Sequence, residues 1–403
     1  MTRWKKTFTY AFLAQVLSSV GFSFAIPFLP FFIQELGIVD KAQQAWWSGV
    51  LMAATGLTLA LFAPLWGWLA DRFGHKSMVM RSMFGGAIIV FLMSYSRNVY
   101  ELLAFRLLQG MFTGTVSASI SLVASVTPPR RSGFALGMMQ AAVFVGSATG
   151  PLLGGIMADY YGYRMSFQGG AAIILLGGLL VLFGATEAEP KEEEVSEEPP
   201  IEFKVLLKSG VFVFAILTLF AVRFANTMIN PSFPLIIQEI IKTTSRLNSV
   251  AGGIMASAGL AGAVTAGLLG YLGDKFGHHQ VLIVCSLGVA VTATAHAVAH
   301  TIPFLTVVHL FFGMTIAGIL PSINSIIQRS TDQRHLGKAY GVSTSISMLG
   351  LAVGPLAGGY LASRCGVRVP FLAAGFCHVM VTIIAFRWLA RLRKIIGSES
   401  KAT

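Results

Sequence analysis

Arg106 and Arg223 are the two basic residues of this chain that stand inside apolar runs rather than beside them. A guanidinium in hydrocarbon is costly, and such residues mark pathways, pairs or binding sites. Arg106 sits about 10 Å from the near end of its run, at roughly 1.5 Å per residue. From there it can serve a site or snorkel to the interface. Arg223 falls mid-run, beyond easy snorkelling reach, with Asn226, Asn230, Pro231 and Pro234 further along the same run. It can attract an anionic group or pair with a neighbouring helix.

The acids are informative by their absence. Eight of the 17 lie between Glu187 and Glu202, and the other nine (Glu35, Asp40, Asp71, Glu101, Asp159, Glu239, Asp274, Asp332 and Glu399) all fall outside the middle of apolar runs. The deep polar residues are instead Arg106, Gln109, Arg223, Asn226, Asn230, Asn324, Gln15 and Gln140, with His309 as the counterpart of Arg106. A cavity built from cationic and amide groups suits neutral or anionic amphiphiles better than lipophilic cations. A lone His309 also fits hydrogen-bonded packing.

A third element is the charged turn Gly67-Trp68-Leu69-Ala70-Asp71-Arg72-Phe73-Gly74-His75-Lys76, which recurs as Gly270-Tyr271-Leu272-Gly273-Asp274-Lys275-Phe276-Gly277-His278-His279. Gly74 and Gly277 permit the backbone geometry that closes a helix. Such a turn, used once per half, is a gate-like element, or a solvated turn rich in positive charge. The chain has no G-x-x-x-x-G-K-[ST] phosphate loop. Cys285, Cys365 and Cys377 have no metal-ligand spacing. No nucleophile–base arrangement is visible, so an enzyme is not expected, nor any metal or cofactor.

These residues must be positioned by membrane helices. The chain is 55% hydrophobic and 11% charged, with mean hydropathy +0.72. Soluble domains carry about a quarter charged residues. Apolar windows of membrane length recur along the chain. Twelve spans are predicted near 7–35, 45–69, 78–96, 99–126, 133–157, 164–184, 209–238, 248–271, 280–298, 302–327, 338–362 and 369–390. Arg3, Lys5 and Lys6 precede a first run too long for a cleaved signal and carrying Pro27 and Pro30.

On this topology 20 of the 29 Lys and Arg fall on the side of both termini and seven on the other. That bias puts both termini in the cytoplasm. It also explains the +12 net charge without nucleic acid. The acidic segment 186–208 separates two bundles of six spans, 1–185 and 209–395, and 396–403 is a cytoplasmic tail. The linker reads as a tether or a regulatory segment.

The halves repeat at an offset of 203 to 204. Pro27, Pro30, Gln34 and Glu35 answer Pro231, Pro234, Gln238 and Glu239, and Gly146, Gly150, Pro151, Gly154 and Gly155 answer Gly350, Gly354, Pro355, Gly358 and Gly359. Six spans per half give both halves the same orientation, the arrangement of two rocking bundles around a central cavity. The expected fold class is therefore all-α integral membrane, twelve helices in two pseudo-symmetric six-helix bundles.

The motifs resemble the major facilitator superfamily, and within it the 12-span drug:proton antiporter group (MdtG-like multidrug efflux proteins). Gly67 to Lys76 resembles its loop 2–3 signature, with His75 where a basic residue is usual. Arg106-Leu-Leu-Gln109-Gly110 resembles its fourth-span motif, and Gly146 to Gly155 its fifth-span antiporter motif. The resemblance implies a bacterial cytoplasmic-membrane exporter of small amphipathic compounds, proton-driven, without cofactor and monomeric. It makes Gly67, Asp71, Arg72, Gly74, Lys76, Gly270, Asp274 and Gly277 the gate. Asp71 is expected to meet the positive helix start near Lys338 when the outer side is open. Asp274 is expected to do the same at the start of span 5. The resemblance assigns proton coupling to Arg106 with an outer carboxylate, from Glu35, Glu101 or Glu239. Arg223 departs from the family pattern. It leaves room for a carrier of one anionic metabolite; a non-transporting sensor is the remaining reading.

Overall fold

The computed structural model describes residues 3–187, 209–241, 246–332 and 335–399. Among these the chain is helical with no strand. The first half holds α1 (Arg3–Phe24), α2 (Leu29–Glu35), α3 (Lys41–Phe73), α4 (His75–Met93), α5 (Val99–Phe112), α6 (Thr115–Val126) and α7 (Ser132–Gly184). The second holds α8 (Gly210–Met228), α9 (Phe233–Ile241), α10 (Leu247–Phe276), α11 (His278–Ala297), α12 (Ile302–Ile316), α13 (Ile319–Ser330), α14 (Leu336–Cys365) and α15 (Val369–Glu399).

Eleven helical segments are long and apolar enough to cross a membrane. One of them, α7, has 53 residues, about 80 Å of helix. It breaks at Gly162, whose φ of 83° and ψ of 167° are not helical. It therefore crosses twice, and the described residues make twelve crossings. Pro27 and Pro30 split the first crossing into α1 and α2 through a short 3₁₀ turn. Most of the predicted linker (188–208) and the end of the predicted tail (400–403) lie outside the described residues.

Short polar residues start the helices. Asp40 accepts from the Gln43 N–H at 3.0 Å to cap α3. Asn98 and Glu101 form a variant capping box at α5: Asn98 accepts from the Glu101 N–H, and Glu101 accepts from the N–H of Arg97, the residue before the cap, both at 2.9 Å. Gly74 ends α3 at φ 86°, a conformation L side chains avoid.

The repeat is also a packing repeat. Gly146, Gly150 and Gly154 of α7 press on Ser19, Ser23 and Phe24 of α1, and Gly350, Gly354 and Gly358 of α14 press on Arg223, Thr227 and Met228 of α8. At each of these glycines a Cβ would collide with backbone or side chain. The antiporter-type glycines thus seat one helix against another within each half, as small-residue helix interfaces do. Gly155 and Gly359 instead face the other half, at Asn248 and Ala45.

Candidate functional site

A cavity of about 540 Å³ lies between the halves. Arg106 and Thr55 face it from the first half, and Asn226, Asn230 and His309 from the second. The rest of its wall is largely apolar, including Phe233, Phe312 and Met255. Among the described residues no carboxylate lines it. Arg106 and His309 occupy repeat-equivalent positions, so one cation and one imidazole stand in matching places on the two walls.

Arg106 is 3% exposed. Its Nε donates to the Leu51 carbonyl at 3.1 Å, and Nη1 to Gln109 Oε1 at 2.5 Å. Thr55 donates to the Arg106 carbonyl at 3.0 Å. The guanidinium is thus held by α3 and by its own helix rather than snorkelling. Its bonds are to neutral acceptors, so its charge is not cancelled by a neighbour.

The second half carries buried histidines. His309 stacks on Phe233 at 4.2 Å between ring centres, and its Nδ1 lies 2.9 Å from His296 Nε2. His296 Nδ1 lies 2.6 Å from the Thr292 carbonyl. His378 bridges the cavity residue Asn226, at 3.0 Å, and Ser286, at 3.1 Å. His296 and His378 were not singled out from sequence. Their signal is the one that marked Arg106: a polar ring inside an apolar run.

Of the other predicted cavity residues, Gln109 is the partner of Arg106. Arg223 donates from Nε to Ser347 at 3.0 Å, about one turn from Asn226, and is not in the cavity wall. Asn324 is exposed on α13, also outside that wall.

The predicted coupling carboxylates lie at the helix ends and are engaged there. Glu35 pairs with Arg164 at 3.8 Å and Glu239 with Arg368 at 3.5 Å. Arg164 also donates to the carbonyls of Ser94 and Ser96, and Arg368 to those of Ala297 and Ala299. Each arginine therefore staples a repeat-equivalent set of three helices at the end opposite the Asp71 turn. Glu101 is in the α5 capping box, so it does not bond Arg106.

The two ends of the molecule differ. Opposite the Asp71 turn the halves meet closely: Gly49 on Pro355 and Gly359, Gly56 on Ala352, Gly252 on Pro151, Gly259 on Ala148. Asp159 accepts there from the N–H groups of Asn248 at 3.1 Å and Ser249 at 2.7 Å, and from the Ser249 hydroxyl and the Asn248 amide. At the Asp71 end, a Cβ on Gly67, Gly133, Gly137, Gly267, Gly270 or Gly341 would meet nothing within 4 Å. The cavity is closed at one end and the seam is parted at the other.

The latch expected when the outer side is open is not formed in this state, in which the Asp159 end is closed. Asp71 and Lys338 are both exposed, and no hydrogen bond or ion pair joins them. The reason is that the helix ends that would bring them together are apart. Asp274 bonds within its own half, to His278 and Arg329, both at 3.2 Å. Glu187 caps α4 at the turn, accepting from the N–H groups of His75 at 3.0 Å and Lys76 at 2.7 Å, and Lys76 Nζ donates to the Leu182 carbonyl. Arg72 lies over the rings of Trp68 and Phe73.

Comparison with known proteins gives a consistent picture. The profile described as Major Facilitator Superfamily matches residues 11–239 and again 215–402. The multi-drug resistance efflux pump PmrA of Streptococcus pneumoniae serotype 4 is 30% identical over 400 residues, covering 97% of this chain and 99% of that one. The multidrug resistance protein MdtG of Citrobacter koseri is 29% identical, covering 98% of each. Among solved structures, a bacterial homologue of the human lysosomal transporter Spinster, inward-facing and occupied, superposes with TM-score 0.80 at 15% identity, over 96% of this chain and 97% of that one. The human organic anion transporter MFSD10 (TETRAN) superposes with TM-score 0.71 at 18% identity, over 96% and 100%.

Proposed function

The chain belongs to the major facilitator superfamily, and from that membership we propose that it is a proton-coupled exporter of small amphipathic compounds working by alternating access. It is a multi-pass membrane transporter rather than an enzyme. The observation that carries the reading is the central cavity, sealed at the Asp159 end and parted at the Asp71 end. The Lys and Arg bias supports a reading with the Asp71 end and both termini in the cytoplasm. On that reading the conformation is cytoplasm-open, the state in which an exporter loads. The two six-helix bundles, 1–185 and 209–395, act as the rocking units, the linker 186–208 tethers them, and a monomer suffices. The membrane is the bacterial cytoplasmic one, as expected of a relative of PmrA and MdtG.

Substrate range follows from the wall. Broad apolar surface with Arg106, His309 and two asparagines takes amphiphiles that differ in shape, and the lack of a carboxylate favours neutral and anionic ones. No cofactor is needed, since an ion gradient supplies the work. The gate is Asp71 with its turn.

The test uses purified protein in liposomes with a pH-sensitive dye inside. A panel of cationic, neutral and anionic amphiphiles is added under an imposed proton gradient. Proton movement that depends on substrate and is lost in Arg106→Ala supports antiport. Exchange without proton movement overturns it. A carrier for one anionic metabolite is favoured by Arg106 and Arg223 being held by neutral acceptors. That reading predicts a response to a single anionic compound and to nothing else in the panel.

A further inference from the structure

The histidine pair behind the cavity wall has a proton arrangement that its partners dictate. A backbone carbonyl can only accept, so the His296 nitrogen 2.6 Å from the Thr292 carbonyl, Nδ1, carries a hydrogen. A neutral His296 then has its lone pair on Nε2. The 2.9 Å contact with His309 requires one hydrogen between the two nitrogens. His309 must supply it from Nδ1. The remaining nitrogen of His309, Nε2, is left with a lone pair. His309 is 8% exposed, lines the cavity, and its Nε2 has no hydrogen-bond partner among the described residues. An unpartnered acceptor is therefore carried by a nine-tenths buried ring that lines the transport cavity.

We propose that His309 and His296 are the proton-binding site of the transport cycle, and that a proton and a hydrogen-bond donor of the substrate compete for His309 Nε2. This rests on the antiport reading above. When a proton adds to Nε2, the N–H bond at His309 Nδ1 can break as one forms at His296 Nε2. His309 is then neutral again with its tautomer reversed, and the charge sits on His296, one ring behind the wall. The nitrogen that faces the cavity has changed from acceptor to donor. A substrate amide or amine N–H that bonded to it, having no lone pair to accept with, is rejected, so loading the proton unloads the substrate. The substrate class is an apolar body with at least one neutral N–H donor, with any acceptor or anionic group directed to Arg106.

The surroundings suit this role. Phe233 and Phe312 stack on His309, and Phe371 stacks on His296, faces that favour a cation. The other ionisable groups near the pair are few. Arg106 faces it across the cavity. Glu239 on α9 is paired with Arg368. His378 on α15 is bonded to Asn226 and Ser286. Arg223 on α8 is held by Ser347. Asp274 on α10 and Arg329 on α13 pair with each other at the far end of their helices. His300, in the turn after α11, is exposed. Among the described residues no carboxylate in the cavity wall competes for the proton.

The first test needs no ligand. Protein labelled with nitrogen-15 histidine is placed in lipid nanodiscs and its imidazole nitrogens are followed by NMR from pH 8.5 to 5. The expected result is a His309 with a protonated Nδ1 and a bare Nε2 at high pH, acquiring a proton on lowering the pH, with those signals missing in His309→Gln. In His296→Gln, where the relay partner behind the wall is removed and an amide that can either donate or accept takes its place, His309 should lose its single tautomer. A His309 that keeps hydrogen on Nε2 at high pH, or takes up no proton across the range, overturns the proposal. The second test repeats the liposome assay with His309→Gln. Proton movement should fall at least tenfold, while exchange at equal pH remains measurable because glutamine still offers an acceptor oxygen. Retained proton movement overturns the assignment. If the wild type moves no protons with any amphiphile, the antiport reading fails, and the NMR result still decides whether His309 binds a proton.

Discussion

Asp159 of the first half caps a helix of the second half: its carboxylate takes the backbone N–H of Ser249 at 2.7 Å and that of Asn248 at 3.1 Å. These are the second and third residues of α10, the groups an N-cap side chain normally satisfies from within the same helix. Here Arg246 stands at the N-cap position, with no capping side-chain bond and a left-handed φ of 60°. Tyr163 adds a bond to the Asn248 amide at 3.2 Å. The closed end of the transporter is thus locked by a cap supplied in trans.

Asp159→Ala should loosen that lock. Removing an N-cap oxygen costs about 1–2 kcal/mol, which is a roughly 5–30-fold shift in a two-state ratio. Spin labels at Tyr161 and Arg246, with the three cysteines replaced, should report a longer distance between the halves at that end in the variant. An unchanged distance distribution would show that the glycine seams alone hold this end shut.

The spans, the break at Gly74 and the repeat were legible because each follows from local rules or from self-similarity. The Asp159 cap was not, because Asp159 and Ser249 are 90 residues apart in sequence and no repeat copy exists; the repeat position of Asp159 is Ser363. The Arg164 and Arg368 staples were legible in principle, since each lies at the same offset from Glu35 and Glu239. The expected latch at Asp71 belongs to the opposite state of the cycle and is not formed here. A sequence carries the contacts of every state in the cycle, and one structure shows those of one state.

The glycine seams predict an asymmetry in tolerance. A side chain at Gly154 or Gly358 would run into the carbonyls of Phe24 or Met228, whereas Gly137 and Gly341 face open space. Overpacking of this kind costs about 1–3 kcal/mol, occasionally more. Gly154→Val and Gly358→Val should lower the melting temperature measured by scanning fluorimetry in detergent, and Gly137→Ala and Gly341→Ala should not. Equal behaviour of the four would mean that α1 and α7 do not pack as closely as described.

The outer carboxylates are engaged in staples, so they should act on stability more than on coupling. Glu35 and Arg164 have side chains that are each 43% exposed, and exposed pairs of this sort contribute about 0–1 kcal/mol. Glu35→Gln and Glu239→Gln are therefore expected to leave substrate-dependent proton movement within about twofold of wild type on the same footing. Loss of proton movement in either variant, with expression intact, would move coupling from the cavity to the outer end.

The two gate aspartates should differ in a way that the repeat alone does not suggest. Asp274 already bonds to His278 and Arg329 within its half. Asp71 is exposed with no such partner among the described residues, so it is available to the other half when the seam closes. A carboxylate at a helix N-terminus is stabilising by about 0.3–1 kcal/mol at the surface and about 2 kcal/mol when partly buried. Asp71→Asn removes that stabilisation from the cytoplasm-closed state only. It should leave equilibrium binding of a fluorescent amphiphile intact, cut flux at least tenfold, and raise the population open at the Asp71 end. Asp274→Asn should cost flux less, because its bonds are internal to one rocking unit and do not change when the halves move. Equal loss in the two variants would mean that Asp274 exchanges its partners during the cycle, and undiminished flux in Asp71→Asn would remove the latch from the mechanism.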